Sequence, residues 1–561
     1  MHPASPRSRS IPRLAYGLAV LFFLSNIVYA AWYLSQDYTT LRDAYLATGP
    51  FYRDAFWTTD FFTPSTKAAG DRFAAVAILL AVAVLVYLGY CWRHAEQRAA
   101  PAIRVPVKRD DILPLLCLAT VQLGLWVYGN QLLPPAYDEV FSAMHAAAPG
   151  PLRALTYYML PNNHVLFNVL NGTLFGWADD LVFTGRLISL LAYLLLGVLQ
   201  YVWLRSLLSD RLAALALTLF LAVLLPVWGF AVQARGYALL LLFSWGAFLA
   251  VWQYVSGRGR GMRWVFAGCC VLAYATVPVF LYLHLALLIW IVRDWIRRRR
   301  IDWQLIATQL VAGVAVLLVY LPAITYSGLG AMVDNRYVAA GEEGGVAFAR
   351  MFLPTLPHYV NYLALDIGSV LPYLLPLLAL LPLLLVFAQR VLLRRLAIIY
   401  LIVLCSTIGT VLVMRAVPFH RTLVFQLQFV GLLIACIPLA AWEWTVGSKL
   451  PRRWLRLVAV GWLLLAGALI WLTPAKFSLH LYYYDIVPTY QSMTTLLDQL
   501  PTDAKVAGSD EAFYPLYFIQ SDGEVLPSAA TYYVKRPTEP LPEGRWELVG
   551  QDREFEVYRR E

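Results

Sequence analysis

Residues 73–90 read FAAVAILLAVAVLVYLGY, a run without a single charge that lies between Arg72 and Arg93. At about 1.5 Å per helical residue it matches the ~30 Å hydrocarbon layer of a bilayer, and in water it would leave an apolar cylinder uncovered. The same pattern repeats along the chain. Of 561 residues, 60% are hydrophobic and 14% charged, with a mean hydropathy of +0.62. A soluble domain carries roughly a quarter charged residues. About thirteen crossings are expected, which makes the fold class an all-α polytopic membrane protein.

The formal net charge is +10. The arginines stand in short clusters between apolar runs, where they set topology through the excess of Lys and Arg in cytoplasmic loops. Nucleic-acid binding would need a basic face on a soluble module and is set aside. The six cysteines lie in or beside apolar runs, without a CxxC pair, and are read as core thiols. Arg7, Arg9 and Arg13 precede the run Leu14–Leu34, which is read as a retained first helix because it is long and no small-residue cleavage site follows.

The basic stretch from Arg93 through Arg109 is cytoplasmic, which places the polar segment Ser35–Arg72 outside. The third crossing, Ile112–Gly129, then exits into an external segment, 131–180. Crossings follow at Leu187–Leu204, Leu212–Phe230 and Leu239–Tyr254. The run Trp264–Trp290 carries arginines at both ends and Pro278 in its middle. Parity favours a hairpin of two short helices, and a single tilted helix is the alternative. Further crossings are Trp303–Leu321, Val370–Ala388, Leu396–Val413, Leu423–Trp442 and Leu457–Leu472, with an external loop at 322–369. Residues 473–561 are polar, with alternating runs such as Trp546–Val549, and predict a small external α/β domain. The chain thus divides into two added front helices with a basic linker (1–111), a transmembrane core (112–472) and a soluble domain (473–561).

Candidate chemistry gathers in the external segments. Pro134-Pro-Ala-Tyr137-Asp138-Glu139 sets two carboxylates beyond an exiting helix. They suit the N-terminus of a helix, and they also suit catalysis at a membrane surface. Pro161-Asn162-Asn163-His164 opens an apolar pattern, Val165, Leu166, Val169, Leu170 and Leu174, that predicts an interfacial helix capped by Asn162, with Asn163 and His164 facing the acidic pair. His164 as a mere cap is the alternative. Three cationic spots share the same side: Arg235 beside Tyr237, Arg336 in Asp334–Tyr337, and Arg415 with His420 and Arg421. Each is either a snorkelling side chain or a ligand for a lipid phosphate, which a planar guanidinium binds in bidentate fashion. Sugar transfer from a polyprenyl phosphate needs such cations for the departing phosphate and one carboxylate as base, with no general acid. No nucleotide site is required, and no cofactor.

At these residues the sequence resembles the GT-C class of integral-membrane glycosyltransferases, in the branch of protein O-mannosyltransferases and lipid A aminoarabinose transferases. The resemblance rests on Asp138-Glu139, Asn163-His164, Arg186 entering the next span, and Gln233-Ala-Arg-Gly-Tyr237. It implies a polyprenyl-phosphate sugar donor, a lipid, glycan or protein acceptor, and activity on the external face of a cell membrane. It implies Asp138 as base or acceptor-positioning carboxylate, with Glu139 beside it. Arg235 and Arg421 would hold the carrier phosphate, alongside Tyr237, His420, Arg415 and Arg336, while Tyr137, Asn163 and His164 position the loop and acceptor. Some relatives bind a divalent cation near this loop, for which Glu139 and His164 are the candidates. Two departures stand out. The acidic pair follows the third helix where the family has it after the first, and Asn163-His-Val165 replaces the usual His-Pro-Pro. A transporter or flippase of a lipid-linked saccharide is the competing reading, and an envelope structural subunit a third.

Overall fold

A computed structural model describes residues 10–47, 60–95, 108–158, 163–176, 180–208, 210–257, 261–333, 339–340, 345–355, 386, 391–418, 420–446, 451–472, 481–509, 512, 515–516, 519 and 527–561. Among them, 10 helices are long and apolar enough to cross a membrane. Arg211–Ala222 and Met262–Thr276 are shorter apolar helices at the places of the fifth and seventh expected crossings. The tenth expected crossing, 370–388, lies outside the described residues except for Val386. The chain is a multi-pass membrane protein with a small C-terminal sheet.

Several boundaries differ from the sequence reading, each for a local reason. The expected loop 35–72 holds a helix, Tyr38–Leu46, whose cap Asp37 accepts from the Thr40 N–H at 2.7 Å. The next helix begins early and runs Pro64–Ala95. The fifth crossing is broken: Arg211–Ala222 stops, Leu224 is extended, and Leu225–Gly229 restarts with Pro226 in its first turn, where its missing N–H costs nothing. The run Trp264–Trp290 is two helices. Met262–Thr276 ends at Val277 (φ −147°, ψ 121°), and Leu281–Arg298 follows a single turn at Pro278–Phe280. Pro322 does not end its helix, which runs Trp303–Val333; the break falls at Gly328 (φ 81°, ψ 157°), a backbone conformation open to glycine.

The front pair of helices, Ser10–Ser35 and Pro64–Ala95, packs on Trp303–Val333 through a tyrosine-rich seam. Phe62 and Tyr326 stack at 5.1 Å and the Tyr33 hydroxyl donates to the Thr325 carbonyl at 2.9 Å. Gly70 permits this approach, since a Cβ there would lie 2.5 Å from the Tyr33 hydroxyl. The central bundle packs Leu181–Leu208 and Tyr237–Val255 through Trp203, Trp245, Phe248 and Trp252. All six cysteines are free.

The C-terminal sheet orders its strands Val506–Gly508, Tyr532–Lys535, Glu556–Arg560 and Trp546–Gln551. The first pairing is parallel and the other two are antiparallel. The helix Leu481–Leu497 packs Met493 and Leu496 against Val534, Phe555 and Val557, and Ser492 donates to the Asp552 carboxylate.

Candidate functional site

Two neighbouring carboxylates meet opposite fates where the Ile112–Leu132 helix ends. Pro134 and Pro135 keep the chain extended, and a short helix, Tyr137–Ser142, starts with Asp138 and Glu139 in its first turn, where the helix dipole favours negative charge. Glu139 turns inward and is fully buried. Its Oε1 accepts from Arg186 Nε at 3.0 Å and from the Ala234 N–H at 2.6 Å. Its Oε2 accepts from Arg186 Nη2 at 3.1 Å and from the Ala136 N–H at 2.7 Å. Arg186 completes its own set by donating to Asn130 Oδ1 and the Leu133 carbonyl, both at 2.9 Å. A buried ion pair is tolerable only when satisfied this fully.

Asp138 points the other way and keeps 23% of its side chain exposed. Its Oδ2 lies 3.5 Å from Arg235 Nη2, and its carbonyl accepts from Arg235 Nη1 at 3.1 Å. The carboxylate contact is longer than the roughly 2.7–2.9 Å of a charge-assisted hydrogen bond. Arg235 itself is 4% exposed in its side chain, and its guanidinium lies 5.8 Å from the Tyr237 ring centre.

The turn carrying Arg235 is pinned at consecutive backbone groups. Ser189 Oγ donates to the carbonyls of Gln233 (2.7 Å) and Arg235 (3.2 Å). Glu139 takes the Ala234 N–H. His164 Nδ1 accepts from the Gly236 N–H at 2.8 Å. A Cβ on Gly236 would lie 2.6 Å from Thr276 Cγ2 and 3.0 Å from His164 Nδ1, so no other residue fits without displacing both. Gly236→Ala should therefore cost about 1–3 kcal/mol, the usual penalty of an overpacked site, and lower the melting temperature in detergent. A melting curve superimposing on wild type would contradict this packing.

The candidates from sequence thus separate. Asp138, Glu139, His164, Arg235 and Tyr237 come together, and the His164 and Tyr237 rings meet edge to face at 5.0 Å. Asn163 does not face the acidic pair. Its amide donates to the carbonyls of Ala154 (2.8 Å) and Tyr157 (2.7 Å) and its oxygen accepts from Asn168 at 2.8 Å. Tyr137 is exposed and stacks on Phe141. Arg415 is exposed at a left-handed turn (φ 50°). The next residues, Ala416–Val417, pair antiparallel with Ala339–Ala340. His420 and Arg421 stand in the turn His420–Leu423. Arg336 and Asn162 lie outside the described residues.

In the helix after His164, Val165–Phe175, the face opposite most of the apolar stripe is the enclosed one. Asn168, Asn171 and Gly172 are buried, while Leu174 is 55% exposed. The buried face is polar because it is bonded: Asn171 donates to the Leu181 carbonyl and accepts from Thr184, and a Cβ on Gly172 would lie 2.6 Å from the Ala147 carbonyl. His164 stands at the N-cap but makes no side-chain cap bond, its Nδ1 being committed to Gly236.

Glu139 and His164 do not fit a divalent cation. Both Glu139 oxygens already take two donors each, and His164 Nε2 lies 3.4 Å from the Arg235 guanidinium. Among the described residues no group of three or more His, Cys, Asp or Glu could hold a metal ion. The other histidine nearby, His145, is buried; burial and the Arg153 cation push its imidazole down to about 4, which leaves it uncharged at neutral pH.

Three contributors were not singled out from the sequence. Ser189 is a polar residue within an apolar run and Asn130 stands with Gln131 at the end of one, and those positions were the available signal. Tyr490 carried none. It belongs to the helix of the C-terminal domain, yet its phenol, pushed upward first by burial, also feels the charges of Glu139 and Arg186.

No known family's sequence profile matches the chain, and no curated protein sequence does. Solved structures do match. The chain is structurally similar to ArnT from Cupriavidus metallidurans bound to undecaprenyl phosphate. Identity is 17%, over 79% of this chain and 97% of that one, with a TM-score of 0.49. ArnT in the apo state gives 16% identity over the same shares and a TM-score of 0.48. The arabinosyltransferase EmbB from Mycobacterium smegmatis gives 14% identity over 86% of this chain and 49% of that one, with a TM-score of 0.40. These are GT-C glycosyltransferases, the class that the Asp138, Arg186 and Arg235 motifs resemble.

Proposed function

We propose that the chain is a membrane glycosyltransferase that moves a monosaccharide from a polyprenyl-phosphate carrier to an acceptor hydroxyl. The observation that carries this reading is the asymmetry of the site: a buried guanidinium, Arg235, beside a carboxylate, Asp138, that keeps access to solvent. Asp138 takes the proton of the acceptor hydroxyl. The acceptor oxygen bonds the anomeric carbon, the carbon–oxygen bond to the carrier phosphate breaks, and its electron pair leaves with the phosphate. Arg235 stabilises that charge in a water-poor setting, where fixed donors act most strongly. A phosphate leaving group needs no second carboxyl, so Glu139 is available for structure. Single displacement inverts the anomeric carbon.

The arginine distribution along the helices supports an external site. Arg186 is at the site and Arg205 stands nineteen residues further along the Leu181–Leu208 helix, about 28 Å away at 1.5 Å per residue. Arg205, Arg263 and Arg298 mark the opposite end, where Arg263 pairs with Asp302 and Arg298 donates to the Val255 carbonyl. Short arginine-rich loops stay in the cytoplasm, which supports the reading of a site on the external side.

The test is release of free polyprenyl phosphate by purified protein in detergent, offered a set of polyprenyl-phosphate sugars, comparing wild type with Arg235→Lys. Lysine keeps the charge but loses the planar fork. Its rate is expected to fall about 100-fold, the scale of losing one oxyanion donor. An unchanged rate, or no release from any donor by folded wild type, would remove the assignment and favour a transporter of the same lipid.

A further inference from the structure

His164 is buried, 3% exposed, and stands where the Val165–Phe175 helix begins without capping it. A backbone N–H can only donate, so the Gly236 bond requires the lone pair on Nδ1. Its other nitrogen faces Arg235 Nη2 at 3.4 Å, and its ring meets the edge of Tyr237. The imidazole therefore touches three consecutive residues, Arg235, Gly236 and Tyr237. The preceding Asn163 holds Ala154 and Tyr157 of a different segment. One dipeptide thus fastens two stretches of the site that no regular element joins.

We infer that His164 is a positioning residue for the carrier phosphate: by accepting the Gly236 N–H it fixes the turn that aims the Arg235 guanidinium. This rests on the transferase reading, in which Arg235 receives the phosphate. The role needs one acceptor at the place of Nδ1 and nothing at the place of Nε2. An asparagine offers its oxygen near the first place, whereas a glutamine reaches toward the second.

The experiment measures binding of undecaprenyl phosphate to purified full-length protein in detergent, followed by tryptophan fluorescence, for wild type, Arg235→Ala, His164→Asn and His164→Gln. Loss of that one buried hydrogen bond is expected to cost about tenfold in affinity. His164→Gln is expected to weaken binding by about that factor, and His164→Asn to rescue it to within about threefold of wild type. A purely structural role would lower the folded fraction of both variants and leave the affinity of the folded remainder unchanged. If Arg235→Ala weakens binding while His164→Gln binds as wild type, the positioning role is overturned and the phosphate assignment stands. If Arg235→Ala also binds as wild type, the phosphate assignment fails and the positioning role goes with it.

Discussion

Asp138→Asn is expected to abolish sugar transfer and leave the fold intact. The substitution keeps shape and volume and removes only the basic oxygen. Asp138 is partly exposed, and its contact with Arg235 is loose at 3.5 Å, so little stability is at stake. Ion pairs with access to solvent contribute about 0–1 kcal/mol. General-base catalysis by a positioned carboxylate contributes roughly 10²–10⁴-fold, and that whole factor should vanish from the rate of product linkage and of carrier release. The melting temperature in detergent should stay near wild type. Because Arg235 also bonds the Asp138 carbonyl, which the variant keeps, carrier binding should survive as well. A variant with full transfer activity would sink the assignment of the base.

The neighbouring substitution should behave in the opposite sense. Glu139→Leu removes one partner of a buried pair and leaves the Arg186 cation in a dry setting, together with the Ala136 and Ala234 N–H groups. Breaking such a pair from one side costs about 3–5 kcal/mol. The expected result is little folded protein by size-exclusion chromatography, with a melting temperature well below that of Asp138→Asn. Glu139→Gln keeps one acceptor oxygen and should fall between. Glu139→Leu that stays fully folded yet loses turnover would show the carboxylate acting in the chemistry, against the geometry. The two adjacent acids thus predict one variant that is dead but folded and one that is scarcely folded at all.

The membrane class and most of the helices were legible because an uncharged run of bilayer length has few other physical solutions. The grouping of Asp138 with Arg235 and Tyr237 was legible too, since charge beside an apolar span must have a reason. The division of labour between Asp138 and Glu139 was not. It depends on backbone N–H groups, those of Ala136 and Ala234, which every residue but proline carries and which no composition reveals. The apolar stripe of the Val165–Phe175 helix was legible, but the inward bonds of Asn168 and Asn171 on its other face were not, since their partners are met only in the folded chain. Pro322 suggested a helix end that Gly328 supplies instead. Tyr490 lies some 350 positions from the carboxylate whose charge it feels, and periodicity says nothing at that range.

Tyr490 also changes what the C-terminal domain is for. The helix that carries it packs Met493 and Leu496 into the core of the C-terminal domain, while the Tyr490 phenol feels the charges of Glu139 and Arg186. A chain cut after residue 472 would lose not only the sheet but also a phenol on which the Glu139 and Arg186 charges act. The soluble domain and the transmembrane core are therefore poor candidates for exchange between homologues. A chimera should keep the Leu481–Leu497 helix together with Glu139, even where the sheet behind it is replaced.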